Sequence, residues 1–118
     1  MGLLSKAEFL EGARLPYEDV DFPNLGGSIR VRGLTAQERG VFDDSFEFDE
    51  NDRATRESLL RSRLILVALS VVNGAGELMF GKENLSEVEK LPATVVDKLY
   101  MVARKLSSLD GEETEKNS

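Results

Sequence analysis

The chain has 118 residues, a formal net charge of −7, and neither cysteine nor histidine. That length suits one domain with a modest core. The missing residue types exclude disulfides, thiolate metal centres and histidine-based acid–base catalysis, and the acidic balance argues against a broad phosphate-binding face.

Ser5-Lys6-Ala7-Glu8 has the spacing of a capping box, which predicts a short helix to about Glu11 before Gly12 stops it. Leu15 to Phe22 alternates loosely, and Pro16 predicts an edge strand or a late start. Pro23-Asn24-Leu25-Gly26-Gly27 is a turn cluster, and Ser28-Ile29-Arg30-Val31-Arg32 alternates with period two. Together they predict a β-hairpin. Thr35-Ala36-Gln37-Glu38 is a second capping box and opens a helix expected to reach about Phe46, weakened by Gly40.

After the acidic Phe48–Asp52 loop, a long helix is predicted from about Arg53 to Val72. Its first half is charged and its second half is apolar on every side, so that end is central to the core or covered by a partner. Gly74 is the expected C-terminal cap. Glu77 to Phe80 reads as a short extended piece. Ser86-Glu87-Val88-Glu89 is a third capping box opening a short helix, and Pro92 suits the first turn of the last one. There Val95, Leu99, Val102, Ala103, Leu106 and Leu109 make one narrow apolar stripe.

The expected fold is α+β: mainly α-helical, about four to five helices, with a small N-terminal β-hairpin. Residues 1–109 are expected to form a single globular domain. Residues 110–118 are polar and acidic and are expected to be a disordered tail. The longest apolar run, Leu64 to Val72, spans nine residues and includes Ser70. A membrane-crossing helix needs about twenty, so no membrane association is expected. Lys6, Glu8 and Glu11 interrupt the apolar start before a signal-peptide core forms, and a cytoplasmic home is the expectation.

Candidate chemistry fails on detail. Gly76-Glu-Leu-Met-Phe-Gly81-Lys82-Glu83 fits a phosphate-binding loop except at Glu83, where magnesium needs a hydroxyl. Its interior, Leu78-Met79-Phe80, is also too bulky for a cradle. The acidic loop fails the EF-hand template, because Arg53 and Ala54 fall where a ligand and glycine are required. Arg30 and Arg32 share a strand face, but no aromatic residues interleave with them to stack bases. They read as edge-strand charge that discourages sheet-to-sheet association, and no nucleic-acid partner is expected. Neither a metal, a cofactor nor an enzymatic activity is expected.

Partner binding is the remaining class. Most phenylalanines are core by default, and an exposed Met or aromatic patch marks a partner site. Phe46 and Phe48 flank the acidic loop, Phe80 ends the extended piece, Tyr100 lies toward the edge of the last helix and Met101 on its polar face. These five are the partner-binding candidates. Val71 and Leu99 are expected in the core. A groove between the end of the long helix and the stripe of the last helix is the expected seat for an amphipathic helix.

The order of features resembles the tail assembly chaperones of long-tailed bacteriophages and prophages. The resemblance runs from about Tyr17 to Leu109. It rests on Ile29-Arg30-Val31-Arg32-Gly33-Leu34-Thr35 with Glu38-Arg39, on the apolar helix ending near Val71-Val72, and on Gly76-Glu77-Leu78-Met79-Phe80. Leu85-Ser86-Glu87-Val88-Glu89-Lys90-Leu91-Pro92 and the closing Leu106-Ser107-Ser108-Leu109 complete it. It implies a mostly helical, non-catalytic protein of the host cytoplasm. Such a protein binds the tape measure protein, promotes assembly of the tail tube protein around it, and is absent from the mature virion. Several members self-associate as homo-oligomers, and many also have a longer frameshifted form. A structural head–tail connector, a tail terminator, or a small adaptor or regulatory domain is the alternative.

Overall fold

The computed structural model describes residues 1–109. The expected tail, 110–118, lies outside them. The described part is α+β: α1 (Lys6–Gly12), β1 (Tyr17–Phe22), β2 (Gly27–Arg32), α2 (Ala36–Asp44), α3 (Arg56–Ser70), β3 (Val71–Val72), α4 (Leu85–Glu89) and α5 (Ala93–Leu106).

The hairpin forms as its alternation predicts. β1 and β2 pair antiparallel with Val20 opposite Ile29 and Asp19 opposite Arg30. One face carries Val20, Phe22, Ile29 and Val31 into the core; the other carries Tyr17, Asp19 and Arg30. The turn is a single 3₁₀ turn at Pro23–Leu25, closed by Gly26 at φ 78°, a conformation that glycine adopts without steric cost. α5 packs on the core face. Lys105 reaches Glu18 at 2.7 Å, and Lys98 donates to the Asp21 carbonyl at 2.5 Å, fastening β1 to that helix.

A third strand was not anticipated. The long helix stops at Ser70 rather than Val72, and Val71 and Val72 pair antiparallel with Val31 and Arg30. β2 is therefore the central strand, in the order β1-β2-β3. Arg30 and Arg32 are consequently not edge-strand charge. Arg30 pairs across the strands with Asp19 at 2.7 Å and lies over the Tyr17 ring at 4.3 Å. Arg32 pairs with Glu38 at 2.8 Å. Leu78 bridges to Val72, so the extended piece after the helix also joins the sheet. Because the helix gives way to a strand, no left-handed cap forms at Gly74. It is Gly76 that takes the positive φ, 83°.

α3 is the axis of the molecule, packing against α2, α4 and α5. Its start falls later than predicted, because Asp49 Oδ1 accepts from the amides of Asn51 and Arg53 and holds that segment in a turn. Thr55 then caps the helix through the Ser58 amide. From Ile65 to Val72 every residue is buried, so the apolar end of the helix lies in the core. The capping boxes at Ser5 and Thr35 both form. The third does not: a 3₁₀ turn at Lys82–Asn84 runs directly into α4, which starts at Leu85 without a side-chain cap.

In α5 the most buried residues are Val96, Leu99 and Ala103, with Val95 and Val102 half-buried at the sides. The stripe is thus centred nearer Val96 than Val95. Gly33 lets the C-terminal end of this helix approach the sheet. A Cβ there would stand 2.9 Å from the Leu106 carbonyl oxygen and 3.3 Å from the Pro16 ring.

Candidate docking surface

Residues Ile65 to Val72 are all buried, so among the described residues the apolar end of α3 presents no open face for the groove expected there. An open cleft lies at the other end of α3. Leu60, Leu64, Leu85, Val88, Leu91 and Val96 supply its apolar lining, and its volume is about 690 Å³. The walls come from the first half of α3, from α4 and from the start of α5. Spacing explains the lining: Leu60 and Leu64 lie one turn apart on α3, and Leu85 and Val88 lie one turn apart at α4. Val88 is fully buried beneath the floor, whereas Leu60 is 62% exposed.

Charged side chains of both signs rim the cleft: Glu57, Arg61, Arg63, Glu89 and Asp97. Arg63 ties α3 to α5 by a 3.0 Å ion pair with Asp97, and its guanidinium lies 4.7 Å from the centre of the Tyr100 ring. Arg61 reaches Glu47 at 3.3 Å. Beneath this rim, buried serines hold α2 against α3. Ser45 and Ser62 share a 2.6 Å hydrogen bond, and the Ser58 hydroxyl is 3.1 Å from the Glu47 carbonyl oxygen. The wall of the cleft is therefore positioned by polar contacts inside the protein.

None of the five sequence candidates lines this cleft. Phe46 is half-buried and packs edge-on against Phe42, with ring centres 5.2 Å apart. Phe80 is half-buried against the core. Tyr100 is half-buried, with Arg63 on its ring and the Arg104 guanidinium 5.6 Å from the ring centre. Phe48 and Met101 are exposed, at 63% and 69%. Phe48 sits in an isolated antiparallel bridge to Ala54, and Met101 projects from α5. The cleft is lined instead by Leu60, Leu64, Leu85, Leu91 and Val96, which are not among those five candidates. The adjacent exposed pair Leu59-Leu60 in the charged half of α3 was the available signal.

Two central amides of the loop resembling a phosphate cradle are engaged within the protein. Met79 N–H donates to the Val71 carbonyl at 3.0 Å and Gly81 N–H to the Ala68 carbonyl at 3.2 Å. Phe80 packs on the core between them. Among the described residues, no three carboxylates converge to hold a metal. No helix among them is long and apolar enough to cross a membrane.

Electrostatic shifts follow structural ion pairs. The hydrogen bond from Arg30 holds the Asp19 carboxyl below its usual range. Burial pushes the Glu38 carboxyl up, but hydrogen bonds from Arg32 and Thr35 outweigh it, and the net shift is downward. A carboxyl lowered on folding stabilises the protein above its unfolded pKa, near 4.5, and loses that contribution as pH falls through the folded value. Glu38→Gln is expected to cost about 1 kcal/mol at pH 7, because a charge-assisted pair becomes neutral. The cost should shrink as pH falls below 4.5 and through the lowered folded value. Thermal melts of both proteins at pH 7 and through the acid range check this.

No protein-family model and no curated protein matches the chain. Among solved structures, the tail assembly chaperone of bacteriophage HK97 is similar, with a TM-score of 0.65 at 13% identity. The likeness covers 85% of this chain and 95% of that one. At that identity, what is shared is the fold.

Proposed function

We propose that this chain, which has the fold of the HK97 tail assembly chaperone, is a phage tail assembly chaperone that shelters a tape measure helix. The fold likeness carries the reading, and the cleft supplies a seat. Its apolar floor suits the apolar stripe of an amphipathic helix, and rim charges of both signs suit the helix's flanks. Covering that stripe keeps the tape measure protein from aggregating until tail tube subunits polymerise around it. Shape does the work, with no reactive group taking part. The protein acts in the host cytoplasm and leaves before the particle matures. The exposed Phe48 and Met101 extend the contact beyond the cleft.

Co-expression with a cognate tape measure protein tests this. The two are expected to co-purify, and mass spectrometry of purified particles is expected to find no stoichiometric copies of the chaperone. Phe48→Lys and Met101→Lys should fold normally and weaken capture. Stoichiometric recovery from infectious particles would instead make the chain a permanent connector or terminator.

A further inference from the structure

The rim of the cleft carries both signs of charge, but only one sign is free to meet a partner. Both rim arginines are committed within the fold. Arg61 pairs with Glu47 at 3.3 Å, and Arg63 pairs with Asp97 at 3.0 Å while lying against the Tyr100 ring. Asp97 is neutralised by the same pair. That leaves Glu57 and Glu89, which are both exposed. Neither carboxylate has an ion-pair or hydrogen-bond partner among the described residues.

The two stand on different walls, Glu57 on α3 and Glu89 on α4. Glu57 lies in the first turn of α3, where a carboxylate suits the positive end of the helix. Glu89 has no such local reason. It is the last residue of α4, at the carbonyl end, and no basic residue shares its turn. A carboxylate is unfavourable there, and a cation arriving from outside offsets that cost.

We propose that the cleft selects an amphipathic helix whose apolar stripe is bordered on both sides by lysine or arginine. The stripe covers Leu60, Leu64 and Leu85, while Glu57 and Glu89 each meet a cation on one flank. A helix with acidic flanks would face both carboxylates, with the rim arginines already paired. The chain's net charge of −7 draws the same kind of partner from a distance. This deepens the reading of the cleft as a client seat and rests on it.

Two fluorescent helical peptides test the proposal. They share one leucine stripe and carry either lysine or glutamate along both flanks. Anisotropy titrations at low salt should show the lysine peptide binding about tenfold more tightly, since two exposed attractions replace two repulsions. The gap should narrow as salt is raised. Glu57→Lys/Glu89→Lys should reverse the preference with unchanged circular dichroism, because both side chains are exposed. Asp21→Lys/Glu50→Lys changes the net charge equally at exposed positions outside the cleft and should keep the preference. Leu60→Ala should weaken both peptides alike. Tighter binding of the glutamate peptide, or a preference that survives the rim reversal, would overturn the proposal. Equal affinity would also overturn it, while leaving the cleft a seat for any apolar helix. Binding of neither peptide would remove the seat itself, and the proposal with it.

Discussion

Val71→Asp is expected to give an unfolded chain at 25 °C. Val71 has no exposed surface, and it sits at the junction of α3, the sheet and the core. Its amide closes the last turn of α3 on Val67 and its carbonyl accepts from Met79 at 3.0 Å. Opposite it stands Val31, also fully buried. Losing the valine contacts costs about 1.5–3 kcal/mol, and burying an unsatisfied polar group costs a further roughly 2–7 kcal/mol. A domain of this kind has only about 5–15 kcal/mol to lose. Val71→Ala removes volume without adding charge and should cost about 2 kcal/mol with the fold retained. Circular dichroism and urea titration of the pair check both. A cooperatively folded Val71→Asp protein would contradict the placement of β3 in the core.

Leu60→Asp is expected to do the opposite: leave the fold intact and remove client capture. Leu60 is largely exposed at the open end of the cleft. Its stabilising contribution appears only when a partner covers it. Loss of one such anchor corresponds to about 1.5–3 kcal/mol, or roughly 10- to 100-fold in affinity. The aspartate also joins Glu57, Glu89 and Asp97 at the rim and opposes an apolar stripe. Titration of a tape-measure helical peptide by fluorescence anisotropy reads the change. Met101→Lys should weaken the same titration by less, since Met101 lies outside the cleft.

These two substitutions mark what could and could not be read from the chain. The hairpin was legible because its alternation and turn residues are local signals. The helices begun at Ser5 and Thr35 were legible because a capping box is complete within four residues. Val71 and Leu99 were legible as core, because apolar runs and helical spacing report burial directly. β3 was not: a two-residue strand has no periodicity, and its partner Val31 is distant in sequence. At Ser86 the local capping pattern lost to a 3₁₀ turn that had already started the helix at Leu85.

The cleft was hardest to foresee. It exists because α4 packs across the charged half of α3, and nothing local in either helix states that pairing. The five candidates were chosen by residue type. Folding put Phe46, Phe80 and Tyr100 half into the protein and left Phe48 and Met101 outside. Residue type cannot rotate a helix; the neighbours do, which is also why Val96 is more buried than Val95.

The decisive measurement is turbidity of a refolding tape measure protein with stoichiometric wild-type chain or its Leu60→Asp variant. The wild type should keep the solution clear and the variant should not, both being equally folded. Equal turbidity with and without the wild type, or equal protection by both, would contradict a cleft that works by covering a helix.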